Sequence, residues 1–170
     1  MTTMAPRLRK AVLATHVAAS VGWLGAVVAY LPLAVTVLTS KNIDVVRGVY
    51  AAMDATVWYA LVPLSLASLL TGLISALFTA WGLFRHYWVL FKLVLNLFAT
   101  AILVGYTGTI DTFTAAAAMP GVSVADLAEG GHPTHLAHAI GGLLVLVSAT
   151  VLAVYKPRGL TPYGIRKLRS

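Results

Sequence analysis

Five histidines and one lysine stand where this chain can do side-chain chemistry. His132, His135 and His138 crowd into GGHPTHLAH, residues 130–138. Neutral imidazole ligates transition metals and haem iron through nitrogen. His135 and His138, three apart at a helix start, can share a face. With Glu129 just upstream, the three histidines form a candidate copper or zinc site. HPTHLAH has neither zinc-finger nor zincin spacing, so two other readings stand beside it. One is the hydrated polar rim of a helix. The other is a haem ligand at His138, with Gly141 and Gly142 leaving room for a flat cofactor.

His16 and Lys92 differ in kind, because each falls inside an apolar run. An ionisable group within a membrane span is a functional candidate by default. The plain alternatives are a neutral histidine hydrogen-bonded to a neighbouring helix and a lysine that snorkels to the surface. Lys92, Asn96 and Thr100 recur at four-residue steps, which predicts a polar stripe facing the bundle interior. His86 sits at the boundary of the same helix.

The elements that must position these residues follow from composition. The chain is 59% hydrophobic and 10% charged, against about a quarter charged in soluble domains. Continuous apolar runs cover about 11–38, 56–80, 87–106 and 135–155. Each is long enough for a hydrocarbon core of roughly 30 Å. The expectation is an all-α, four-transmembrane-helix bundle, a single integral membrane domain over 1–170. A long loop at 108–134 and a basic tail at 156–170 complete it. A barrel would alternate apolar and polar residues, and these runs do not. The absence of cysteine excludes disulfides, iron–sulfur clusters and zinc–thiolate sites. The first run follows Arg7, Arg9 and Lys10 but is too long for a signal peptide, and it reads as an uncleaved span.

Local signals refine this outline. Ser40 and Asn42 offer helix caps, and IDVVRGVYAAMD has helical spacing, so the second helix starts before the membrane. Pro63 should kink it. Ser65, Ser68, Gly72, Ser75 and Thr79 make a small-residue stripe for close helix packing. Trp81, Tyr87 and Trp88 suit the headgroup level. VADLA reads as a short helix, and Pro133 as a first helical residue. Helices one and three run the same way, which puts His16 and Lys92 at similar depth.

The formal charge is +7, yet its placement argues against nucleic acid. Arg7, Arg9, Lys10, Arg85, Lys156, Arg158, Arg166, Lys167 and Arg169 all fall on one side of a four-span chain. Lys and Arg favour the cytoplasm, so both termini are expected inside, in the plasma (inner) membrane. The basic tail then suits anionic lipid. A homo-oligomer or a larger membrane complex is compatible with this outline.

THVAASVGWLGAVV, with His16, Trp23 and Gly25, resembles the first helix of the CopD copper-resistance family and of the HemJ-type protoporphyrinogen oxidases. HYWVLFKLVLN, with Lys92, resembles their lysine-bearing helix. A closer likeness, over most of the chain, is to bacterial four-span predicted integral membrane proteins, especially of actinobacteria. GLFRHYWVLFKLVL and VYKPRGLTPYG carry it. The HemJ resemblance implies haem b with His16 as ligand and Lys92 as functional partner, in a membrane oxidoreductase if the chain is an enzyme. The CopD resemblance implies copper handling. This chain departs from both in being a minimal four-helix unit and in lacking Met- and His-rich segments.

The leading expectation is a b-type haem protein of the membrane with a redox or haem-related role, using His16, Lys92, His86 and Asn96. One rival is a copper or zinc protein using His132, His135, His138 and Glu129. The other is a cofactor-free accessory or scaffold subunit.

Overall fold

The computed structural model describes residues 4–78, 82–129 and 133–169. The expectations placed on Thr79, Trp81, Gly130, Gly131 and His132, and on the side chains of Glu129 and Arg169, lie outside the described residues. The described chain is all-α. Helix α1 spans Pro6–Thr39 and α2 Ile43–Thr56, and a π-helical turn, Val57–Leu61, leads into α3, Val62–Phe78. Helix α4 spans Tyr87–Ala117, α5 Val124–Glu129, α6 Pro133–Tyr155 and α7 Pro162–Arg169. Among the described residues, four helices are long and apolar enough to cross a membrane: α1, the continuous α2–α3 rod, α4 and α6.

Local chemistry explains these boundaries. Pro6 opens α1 at a position where a missing N–H costs nothing. Asn42 caps α2, its side chain accepting from the Asp44 N–H at 2.9 Å. The disturbance expected at Pro63 takes the form of the π-helical turn just before it, where the Val62 N–H donates to the Val57 carbonyl. Proline lacks the donor that an α-helical ladder needs, and one wide turn absorbs the mismatch. The short helix at VADLA and the start at Pro133 are found as the sequence suggests.

One boundary differs. Helix α4 continues to Ala117, well into the stretch read as the loop 108–134. The apolar run ends near Tyr106, but Ile110, Phe113 and Ala117 keep helical spacing and are buried. They pack against Val46, Tyr50 and Met53 of α2 as part of one core. Beyond the apolar span the bundle thus continues as a cap of conventional amphipathic helices. Arg47 of α2 closes the end of α4, its Nε donating to the Ala117 carbonyl at 2.8 Å and its Nη2 to the Met119 carbonyl at 3.1 Å. A cation at a helix C-terminus is favoured by the helix dipole. Nearby, the Trp58 Nε1 donates to Asp111 Oδ1 at 2.9 Å.

At the opposite end, which carries both termini, the C-terminal segment straps onto the α3–α4 turn. The Thr161 N–H donates to the Arg85 carbonyl at 3.0 Å, and the Tyr87 N–H to the Gly159 carbonyl at 3.3 Å. The Thr161 hydroxyl donates to the Phe84 carbonyl. Gly164 lies so close to the Arg85 carbonyl that a Cβ there would collide with backbone.

Candidate functional site

Two polar clusters are buried in the bundle, one at the level of His16 and one at the level of His135. An apolar cavity lies between α4 and α6 beside the second.

The first cluster brings together residues far apart in sequence. The His16 Nδ1 hydrogen-bonds the Ser68 carbonyl at 3.0 Å and lies 3.1 Å from the Thr71 hydroxyl. A carbonyl only accepts, so Nδ1 carries the proton. The Lys92 amino group then donates to Nε2 at 3.1 Å. The matched depth of His16 and Lys92 is therefore present as a direct contact. Ser20 and Ser68 share a hydrogen bond at 2.8 Å beside them. The small-residue stripe makes this approach possible, since a Cβ on Gly72 would stand 2.9 Å from the imidazole Cε1. Asn96 and Thr100 continue the stripe on α4 and are buried. His86 is not part of the cluster. It precedes α4, pairs with Leu160 of the strap and lies 6.4 Å, ring to ring, from Trp88.

The second cluster rests on three tyrosines. The Tyr30 and Tyr106 hydroxyls are 2.9 Å apart. The Tyr106 hydroxyl also hydrogen-bonds His135 Nδ1, and the Tyr50 hydroxyl lies 3.4 Å from His135 Nε2. Phe113 packs edge-on against the same imidazole at 4.9 Å. His135 is 0% exposed. A hydrated rim does not describe it, because the α2–α4 cap encloses the start of α6.

His138 lies on the other side of Tyr106, which stacks on it at 4.6 Å with 29° between the planes. Its Nδ1 donates to the Thr134 carbonyl at 2.7 Å, one turn back on the same helix. Both nitrogens of His135 face tyrosine hydroxyls, so His135 and His138 do not point at a shared centre. Among the described residues, no three His, Asp or Glu side chains gather as a metal site.

The cavity measures about 310 Å³. Trp23, Tyr30, Leu61, Tyr106, His138 and Gly142 are among its walls. The π-helical turn supplies Leu61, and the glycines supply the space, because a Cβ on Gly141 or Gly142 would meet nothing within 4 Å. Phe98 and Ile102 edge it and are 56% and 41% exposed. In an apolar stretch of α4 such exposure means contact with lipid, so the cavity opens sideways.

His138, Gly141 and Gly142 stand out in the sequence, whereas Tyr30, Tyr50 and Tyr106 do not. A signal was available: a tyrosine inside an apolar run needs a hydroxyl partner. Compared with protein-family models, with curated protein sequences and with solved structures, the chain matches none.

Proposed function

We propose that this chain is a membrane-embedded binding protein for a flat, largely apolar ring cofactor with a redox or haem-related role, held in the cavity beside His138. The carrying observation is the oriented imidazole on the wall of that cavity. The Thr134 carbonyl accepts from His138 Nδ1, which leaves Nε2 to meet a ligand. Bundle interiors are common places for cofactors.

Haem b is the ring for which the sequence argues, and its fit is partial. His138 would be the residue to hold the iron, since a ligating histidine usually donates its second nitrogen to a carbonyl or carboxylate, as His138 does to Thr134. His16 suits it less, since both its nitrogens are engaged inside the protein. A space of about 310 Å³ is small for a whole porphyrin, and among the described residues no Lys or Arg lines it to meet propionates. When bound, haem would supply one-electron chemistry. The chain's part would be the imidazole and the dry apolar walls.

The test is the visible spectrum of protein produced with ample haem. A Soret band lost in His138→Ala and kept in His16→Ala supports haem in this cavity. A band lost in His16→Ala and kept in His138→Ala moves the site and overturns the assignment to His138. A colourless protein removes haem and leaves the ring to be chosen by the cavity's own hydrogen bonding.

For topology, the charge placement supports a plasma-membrane protein with both termini in the cytoplasm. In intact cells an impermeant thiol reagent should label Ser123→Cys and reach Arg158→Cys only after lysis. The reverse pattern contradicts the orientation.

A further inference from the structure

We infer that the lipid-facing side of α1 seats an anionic phospholipid, its phosphate on Lys10 and Arg7 and one acyl chain along Ala14 and Ala18. A shallow groove runs there, lined by Lys10, Leu13, Ala14, Val17, Ala18 and Val21. Its form follows from residue size. Leu13, Val17 and Val21 recur at four-residue steps and raise a ridge, whereas Ala14 and Ala18 carry only a methyl group and leave a furrow beside it. Leu13, Val17 and Val21 are 55%, 51% and 63% exposed, so no other helix among the described residues covers this face. In a membrane span such a face meets lipid. From Lys10 to Val21 the groove runs roughly 16 Å at about 1.5 Å per residue. That is about half of a hydrocarbon core of roughly 30 Å, the depth of one leaflet, so the groove takes one acyl chain of that leaflet.

Charge then selects the head. Lys10 closes the groove where the apolar run of α1 begins, which is the depth of the headgroups. Arg7 precedes it by three residues and shares its helix face. Arg9 stands beside both. All three are exposed, and among the described residues none of them makes an ion pair or a side-chain hydrogen bond. The chain's own acids cannot answer these cations. All five, Asp44, Asp54, Asp111, Asp126 and Glu129, lie at the opposite end of the bundle, on α2, the far part of α4 and α5. The first turn of α1 adds to the positive field, since it holds no acidic residue and no side chain caps it. A phosphodiester in the headgroup layer supplies the missing charge. Net charge decides between lipid classes. A zwitterionic head brings its own ammonium up to three cations, whereas a net negative head does not.

The experiment is native mass spectrometry of the full chain in detergent, titrated with phosphatidylglycerol or with phosphatidylcholine of the same acyl chains. The expected result is one phosphatidylglycerol retained per chain, with phosphatidylcholine about fivefold weaker, the factor for one cation's attraction at an anionic surface. Lys10→Gln should weaken phosphatidylglycerol about fivefold and bring it level with phosphatidylcholine. Ala18→Phe fills the furrow with every charge in place and should remove the retained lipid. Arg158→Gln, at the same end of the bundle but outside the groove lining, should change neither lipid. Equal retention of the two lipids by the unaltered chain would overturn the anionic assignment. A loss in Arg158→Gln as large as that in Lys10→Gln would mean diffuse surface charge and overturn the groove. Retention unchanged in Ala18→Phe would likewise contradict it. If Ala18→Phe does not fold, Lys10→Gln against Arg158→Gln decides. Glycerol phosphate, a headgroup without tails, should fail to displace the lipid. Displacement by it would mean a site for free phosphate and would sink the lipid.

Discussion

Replacing His135 by alanine should lower the stability of the protein by about 3–5 kcal/mol, the largest single effect expected in the chain. Two costs combine. Removal of a fully buried side chain leaves a cavity that the packed cap cannot fill. Removal of the imidazole also takes a partner from the Tyr106 and Tyr50 hydroxyls, which are themselves buried. For a chain of this size the loss corresponds to a fall of roughly 10 °C in thermal midpoint. Tyr50→Phe removes the 3.4 Å bond to His135 and should cost about 1 kcal/mol. Thermal unfolding in detergent, followed by circular dichroism, checks both. A His135→Ala midpoint no lower than that of Tyr50→Phe would contradict a buried His135.

The second large effect concerns His16. His16→Leu takes the acceptor from the half-buried Lys92 amino group, and leaving that donor without its partner should cost about 3 kcal/mol. Lys92→Met removes the donor instead and leaves a neutral imidazole whose Nδ1 still holds the Ser68 carbonyl. Its cost should be nearer 1–3 kcal/mol. The double variant should be less destabilised than the sum of the two, because the stranded group has gone with its partner. Strict additivity in that cycle would mean that the 3.1 Å contact carries no coupling. His16→Leu should disturb stability while leaving ring binding at His138 intact, which separates a structural cluster from a cofactor site.

Much of this architecture is legible in the sequence because membrane spans are written in long apolar runs. The polar stripe of Lys92, Asn96 and Thr100 is legible for the same reason, since four-residue steps fix a helix face. The cap is harder to see. Past Tyr106 the hydropathy of α4 falls while its helical spacing persists, and hydropathy alone stops the helix there. The histidines show the deeper limit. Spacing puts His135 and His138 near one face of α6, but only the packing of α2 and α4 decides which is enclosed and which lines a cavity. Tyr106 sits between them, and nothing local to GGHPTHLAH announces a residue 29 positions earlier. The cavity itself comes from a π-helical turn on one rod and a glycine pair on another, a coincidence in space rather than in sequence.

The most direct test of the central claim is a crystal structure of the protein grown from a lipidic mesophase with its native lipids retained. Flat, ring-shaped density is expected in the space bounded by Trp23, Tyr30, His138 and Gly142, opening toward lipid past Phe98. Closed packing at that place, or acyl-chain density alone with a ring found instead beside His16 and Lys92, would contradict it.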